Sequence, residues 1–124
     1  MSDQADFSKY SVLYLEDEPL IALDTVDLLD ELGFGDVKPT YRLKSANQAV
    51  EEQTFDVAIL DINVDEDQTS LALGEHLQAQ GTPVVFASGN GHQASELRGS
   101  GFVFIDKPFS KDALAGAVVH ALEL

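Results

Sequence analysis

The stretch Phe55-Asp56-Val57-Ala58-Ile59-Leu60-Asp61-Ile62-Asn63 decides the fold. Four apolar residues, Val57 to Leu60, run directly into a carboxylate. A short, continuously apolar run bounded by polar residues has no face suited to water, so it reads as a strand buried on both faces of a sheet. Asp61 then stands at the carboxyl edge, where open parallel α/β sheets bind their ligands. Taken alone, Asp61 reads equally well as a residue capping the turn after the strand. The ends of the other apolar runs shift that balance.

Three further runs end in polar chemistry. Val12-Leu13-Tyr14-Leu15 leads into Glu16-Asp17-Glu18, Val84-Val85-Phe86-Ala87 into Ser88-Gly89, and Phe102-Val103-Phe104-Ile105 into Asp106-Lys107-Pro108. Helical patterns lie between them. Pro19 suits the first turn of a helix whose apolar stripe is Leu20, Leu23, Val26 or Asp27, Leu28-Leu29 and Leu32, closed by Gly33. Asp36 to Thr40 is a weaker strand, and Pro39 places it at a sheet edge. Ser45 with Gln48 three residues on forms a capping box for a short helix to about Glu52. An acidic loop, Asn63 to Thr69, precedes a helix from about Ser70 to Gln80 that Gly81 ends. Asn90 to Ser100 has only Ala94 and Leu97 as apolar anchors and reads as a short, weak helix. Ser110 caps a last helix to about Leu122. Strands alternating with helices five times predict a doubly wound α/β fold, a five-stranded parallel sheet covered on both faces.

Composition narrows the function classes. The chain has 124 residues, 44% of them apolar, which suits one domain with one core. That core is expected over about residues 10–122, with 1–9 as an N-terminal extension. No apolar run approaches the roughly 20 residues that span a bilayer. The polar, acidic start Met1 to Asp6 is not a signal peptide. With no cysteine there is no disulfide scaffold or thiolate metal site, which fits a cytoplasmic protein. The net charge of −15, from 22 acidic and 7 basic side chains, repels nucleic acid and anionic membranes. Neither is expected as a partner.

In a parallel sheet the four buried runs would bring Glu16, Asp17, Asp61, Ser88 and Lys107 to one edge. Each has a plain alternative: a solvated turn, a helix cap, a surface lysine. Their recurrence at the same structural position argues for a site. Two carboxylates about 4 Å apart repel by roughly 4 kcal/mol at an effective dielectric near 20. Three of them need a cation or a proton. All donors are hard oxygens, which favours Mg²⁺ or Mn²⁺ over zinc. A carboxylate beside such an ion can accept a phosphoryl group and form an aspartyl phosphate. Ser88 and Lys107 would stabilise the transferred oxygens by hydrogen bond and charge.

This set resembles the receiver domain of CheY-like response regulators. The matching residues, over about Tyr10 to Leu122, are Glu16-Asp17, Asp61, Ser88 and Lys107-Pro108. The resemblance implies a flavodoxin-like sheet of order 2-1-3-4-5 and Asp61 as the phosphoacceptor. It implies Mg²⁺ held by Asp17, Asp61 and the main-chain carbonyl of Asn63, with Glu16 reaching the ion through water. It also implies a cis bond before Pro108 and a conformational switch through Ser88 and the aromatic residue Phe104. Asp61-Ile62-Asn63 and Pro83 to Gly89 are similar to the alphaproteobacterial FATGUY receivers, which implies a sensor histidine kinase of the HWE or a related class as donor. Ser88 stands for that subgroup's Thr, and Asn90-Gly91 replaces the hydrophobic residue and tyrosine that end its motif. After Asp61, Val64 to Asp67 replaces the Met-Pro and Gly of commoner receivers, adding acid that attracts cations and repels phosphate.

Rival readings fit less well. A calcium loop starting at Asp61 would need Gly at the sixth position and Glu at the twelfth, where Glu66 and Ala72 stand. A dinucleotide site would need a glycine-rich turn where Glu16 to Pro19 lies. An Asp-x-Asp phosphatase would need an acid at Asn63. The rival from another class is a docking module that keeps the receiver fold without phosphorylation. With no residues after Leu122 for an output domain, a single-domain protein is expected, not a turnover enzyme. Its output would be contact with a downstream protein target or phosphotransfer protein, or a phosphate sink. Gly89, Gly91, Gly99 and Gly101 should make the segment they bracket easy to open and let it respond to phosphorylation.

Overall fold

A computed structural model of the chain describes residues 6–65, 68–89 and 101–123. In chain order the elements are β1 (Ser11–Leu15), α1 (Pro19–Leu32), β2 (Asp36–Thr40), α2 (Leu43–Glu52), β3 (Val57–Asp61), β4 (Asn63–Val64), β5 (Gln68–Thr69), α3 (Leu71–Ala79), β6 (Val84–Ser88), β7 (Val103–Asp106) and α4 (Lys111–Leu122). Five strands form one parallel sheet of order β2-β1-β3-β6-β7. Counted within that sheet, the order is the expected 2-1-3-4-5. The helix expected over Asn90 to Ser100 lies outside the described residues.

Every residue of β3 and β6 is buried, as their unbroken apolar runs require. Alternation along the strands divides the core between the two faces of the sheet. Val12, Tyr14, Val57, Ile59, Val85, Ala87 and Ile105 pack on one face with Ala22 and Leu29 of α1 and Leu114 and Val118 of α4. Leu13, Leu15, Ala58, Leu60, Val84 and Phe86 pack on the other with Ala46 and Ala49 of α2 and Leu73 and Leu77 of α3. Pro39 sits in β2, the edge strand paired only with β1, where its missing N–H breaks no ladder.

Several local expectations are corrected. Helix α1 starts at Pro19 and ends at Gly33, which adopts a left-handed conformation with φ 91°. Its buried face, however, is Ala22, Thr25 and Leu29. Leu20 and Leu23 are 73% and 60% exposed. The helix carries more apolar residues than one face can bury, and the small Ala22 and Thr25 allow it to lie close on the sheet. Helix α2 begins at Leu43, two residues before the Ser45 capping box. Its first turn is capped from elsewhere, because the Leu43 N–H donates to the Asp65 carboxylate at 3.0 Å. The expected acidic loop contains a small antiparallel pair, Asn63 opposite Thr69 and Val64 opposite Gln68. Ahead of β1, Phe7 is buried and stacks on Phe34 with ring centroids 4.5 Å apart. The Phe7 carbonyl accepts from the N–H groups of Tyr10 and Gly35.

Gly74 shows how tightly α3 lies on the sheet. A Cβ there would run into the ring of Phe86, which is fully buried and packs against Phe102 and Phe104. Gly74→Ala should therefore destabilise the fold by about 1–3 kcal/mol through overpacking, despite the better helix propensity of Ala. Phe86→Leu in the same chain should recover part of that loss. Chemical denaturation of the single and double variants checks both.

Candidate functional site

Strand phase builds the site. Tyr14 and Ile59 share one face of the sheet with Ile105. Two residues further along each strand stand Glu16, Asp61 and Lys107, so the alternation carries all three to that same side. Lys107 Nζ donates to Glu16 Oε1 at 2.9 Å and to Asp61 Oδ1 at 3.0 Å. Glu16 is 1% exposed and Asp61 6%. Asp17 is more open, at the start of the turn into α1. Glu16, Asp17 and Asp61 each offer a carboxylate oxygen, and these oxygens lie within 4.8 Å of one another.

The loops fix these carboxylates. Glu16 Oε2 accepts the N–H of Glu18 at 3.1 Å, and Asp17 Oδ2 accepts that of Asp65 at 3.1 Å. The hydroxyl of the fully buried Ser70 donates to the Asp61 carbonyl at 2.6 Å, and the Ser70 N–H to the Ile62 carbonyl at 2.9 Å. Sequence reading missed Ser70, whose hydroxyl reaches back to a main-chain carbonyl, and the bonds of Asp65, which join segments distant in sequence. A serine just before a helix signals a cap, yet here its hydroxyl faces back to β3.

The other expected site residues fall nearby. Ser88 is buried at the end of β6, one position past the Asp61–Ala87 pairing, and its carbonyl accepts the Lys107 N–H at 2.9 Å. Asn63 opens β4, two residues beyond Asp61. Phe104 is half-buried, its ring 5.9 Å from that of Phe86. The bond between Lys107 and Pro108 is cis. Asn90 and Gly91 lie outside the described residues.

Electrostatics leave room for a cation. Burial, and then the negative charge of Glu16, push the Asp61 carboxyl up to about 7, against the pull of Lys107. Burial alone would lower the Lys107 ammonium, but Glu16 and Asp61 hold it above the usual lysine value. One cation faces three acids, and all three acids present hard oxygen donors. That donor set fits a small divalent ion such as Mg²⁺. With the charges compensated, Asp61 would be an ionised carboxylate able to act as a nucleophile.

Residues 12–119 match the family described as response regulator receiver domain. The chain belongs to that family. Receiver domains act in two-component signalling, bind Mg²⁺ at an acidic pocket and interact with histidine kinases and downstream partners. They are generally not turnover enzymes. No curated protein sequence matches the chain. Among solved structures, the receiver is similar to the PhyR stress response regulator, with a TM-score of 0.80 and 25% identity over 97% of this chain and 46% of that one. It thus spans about half the length of that protein. The BeF₃-activated conformation of SdrG from Pseudomonas melonis Fr1 is 32% identical over 95% of this chain and 98% of that one, with a TM-score of 0.76. A CheY-like receiver from Methylobacillus flagellatus shares the fold, with a TM-score of 0.78 at 23% identity over 90% of this chain and 98% of that one. Among the described residues no helix is long and apolar enough to cross a membrane.

The raised Asp61 value sets a pH dependence. Between the ordinary value of 3.8 and about 7, the folded receiver keeps a proton that the unfolded chain has released. This group's contribution to stability is therefore full below about pH 4 and is lost as pH rises to about 7. In EDTA, Asp61→Asn should remove that component, so its melting temperature should fall less between pH 5 and 7.5 than that of the parent. Apparent Mg²⁺ affinity of the parent should rise over the same interval, because the ion displaces the proton. Thermal melts and calorimetric titrations at the two pH values check both.

Proposed function

We propose that this receiver is a single-domain response regulator that accepts a phosphoryl group on Asp61 from a sensor histidine kinase. The observation that carries the reading is the Lys107 ammonium spanning Glu16 and Asp61, beside a third carboxylate on Asp17. Mg²⁺, or Mn²⁺, would be held by Asp17, Asp61 and the Asn63 carbonyl, with Glu16 acting through water, and would offset the charge of the carboxylates and the phosphoryl oxygens. A carboxylate oxygen of Asp61 attacks phosphorus. The bond to the donor's imidazole nitrogen breaks and its electron pair returns to the ring. Lys107 holds Asp61 in place for attack and neutralises charge on the acceptor side. The hydroxyl of Ser88 and the ring of Phe104 form the switch that reads the product. SdrG, matched along nearly its whole length and described in a BeF₃-activated state, supports the chemistry. The residues Asp61 to Asn63 and Pro83 to Gly89 support the FATGUY subgroup and a kinase of the HWE or a related class.

The kinase-facing surface has a candidate in the apolar residues that α1 leaves uncovered. Leu23, Pro19, Val26 and Tyr41 line a shallow cavity, and Leu20 stands exposed on the same helix. This surface begins one residue after Glu18, so a protein docked there is close to the site. Asp24 and Asp27 add negative charge along α1, which suits a basic partner.

Phosphotransfer profiling against the kinases of the same organism tests the reading. The parent should take label from its kinase and from acetyl phosphate with Mg²⁺, and Asp61→Asn should reduce labelling to background. Labelling of that variant at the parent rate would sink the assignment. A parent inert to both donors would leave the phosphorylation-independent docking module in its place. Leu20→Asp with Leu23→Asp should slow transfer from the kinase by about tenfold, the effect of losing roughly 1.4 kcal/mol of docking. Acetyl phosphate needs no docking face, so its labelling of the same variant reports whether the site is intact.

A further inference from the structure

Asp65 joins three segments of the chain. Its N–H donates to Asp17 Oδ2 at 3.1 Å, across 48 positions of sequence. Its own carboxylate accepts the N–H of Leu43, the first residue of α2, at 3.0 Å. Its backbone is left-handed, with φ 50°, a region that Asp and Asn enter more readily than other side chains do. No local side chain caps α2, so the Asp65 carboxylate satisfies one of that helix's first-turn donors.

We infer that Asp65 is a positioning residue for the cation site, holding Asp17 by its N–H while its carboxylate is anchored on the first turn of α2. The inference rests on the reading of Glu16, Asp17 and Asp61 as that site. Asp17 is the most open of the three carboxylates and would otherwise lose rotamer freedom when an ion binds. A fixed hydrogen bond to one oxygen orders it beforehand and leaves its remaining acceptor positions for the ion. The N–H can do this only while residue 65 stays left-handed, and the bond to Leu43 holds it there. Ion binding at Asp17 and order at the start of α2 are thereby coupled, each strengthening the other.

Asp65→Asn, Asp65→Gly and Asp65→Ala separate this role from its alternatives. All three remove the same charge, so a purely long-range electrostatic effect would lower Mg²⁺ affinity equally. Asn keeps an oxygen for Leu43 and tolerates the left-handed backbone. Gly keeps only the backbone freedom, and Ala keeps neither. Calorimetric Mg²⁺ titration should show Ala weaker than Asn by about tenfold or more, in the range seen when groups that orient metal ligands are lost, with Gly between them. Exchange of the Leu43 amide should slow on adding Mg²⁺ in the parent and in Asp65→Asn, and should not respond in Asp65→Ala. Equal Mg²⁺ affinities across the three variants, with faster Leu43 exchange in Gly and Ala, would make Asp65 a helix cap alone and overturn the inference. Should Ala fail to fold, Asn against Gly gives the same test. A parent that binds no Mg²⁺ overturns the cation-site reading itself, a result distinct from a flat variant series.

Discussion

Three carboxylates meet one ammonium at the carboxyl edge of a sheet whose central strands are buried. That imbalance governs the site. Glu16 and Asp61 are almost fully buried, and Lys107 bonds both. Removing the ammonium would leave Glu16 and Asp61 buried without their shared partner, a loss of several kcal/mol by the measure of broken buried pairs. Retaining it still leaves an excess of negative charge. The metal-free protein accommodates the excess by keeping Asp61 hard to ionise, through burial and the proximity of Glu16. A divalent ion bound there would compete with a proton for the same charge. The arrangement gains little stability from its polarity, and its value lies in chemistry.

The fold supplies this geometry through strand phase. A residue two positions past a core residue on the same strand stays on the same face. Glu16, Asp61 and Lys107 follow Tyr14, Ile59 and Ile105 in that way, so the face that packs against α1 and α4 becomes a charged cluster where the strands end. A slip of one residue in β3 would send Asp61 to the opposite face and bring a core residue in its place. Because β3 is buried on both faces, its apolar pattern alone does not oppose such a slip, and side-chain shape must.

The parallel sheet and the charged edge were legible because each rests on a continuous signal within a few residues of sequence, whereas the strand order came only from the family resemblance. Four apolar runs ending in Glu16, Asp61, Ser88 and Lys107 needed no long-range information to be seen as equivalent. What escaped was non-local. The buried face of α1 depends on which residues fit closest to the sheet, and Ala22 and Thr25 displace the larger Leu20 and Leu23 from it. The start of α2 was misplaced because its cap comes from Asp65, while the Ser45–Gln48 pattern offered a local one. Phe7 looked like part of an extension because its stacking partner, Phe34, lies beyond both β1 and α1. Ser70 was invisible as a site residue because its bond is to the main-chain carbonyl of Asp61.

These non-local contacts cluster on the loops that carry the acids. Ser70 ties the start of α3 to β3 beside Asp61, and Asp65 ties the β4–β5 hairpin to both Asp17 and α2. Each loop would be a flexible polar segment on its own, and loops that hold catalytic groups gain precision only from such supports. Acid in the sequence after Asp61 is therefore not all directed at the site. The Asp65 carboxylate bonds the first turn of α2, where a carboxylate is favoured by the unsatisfied N–H groups and the helix dipole. That use lets an acidic loop lie beside an acidic site without adding the full repulsion its composition suggests. It also explains why net charge and loop composition alone misjudge the local field: what matters is where each carboxylate finds its donor.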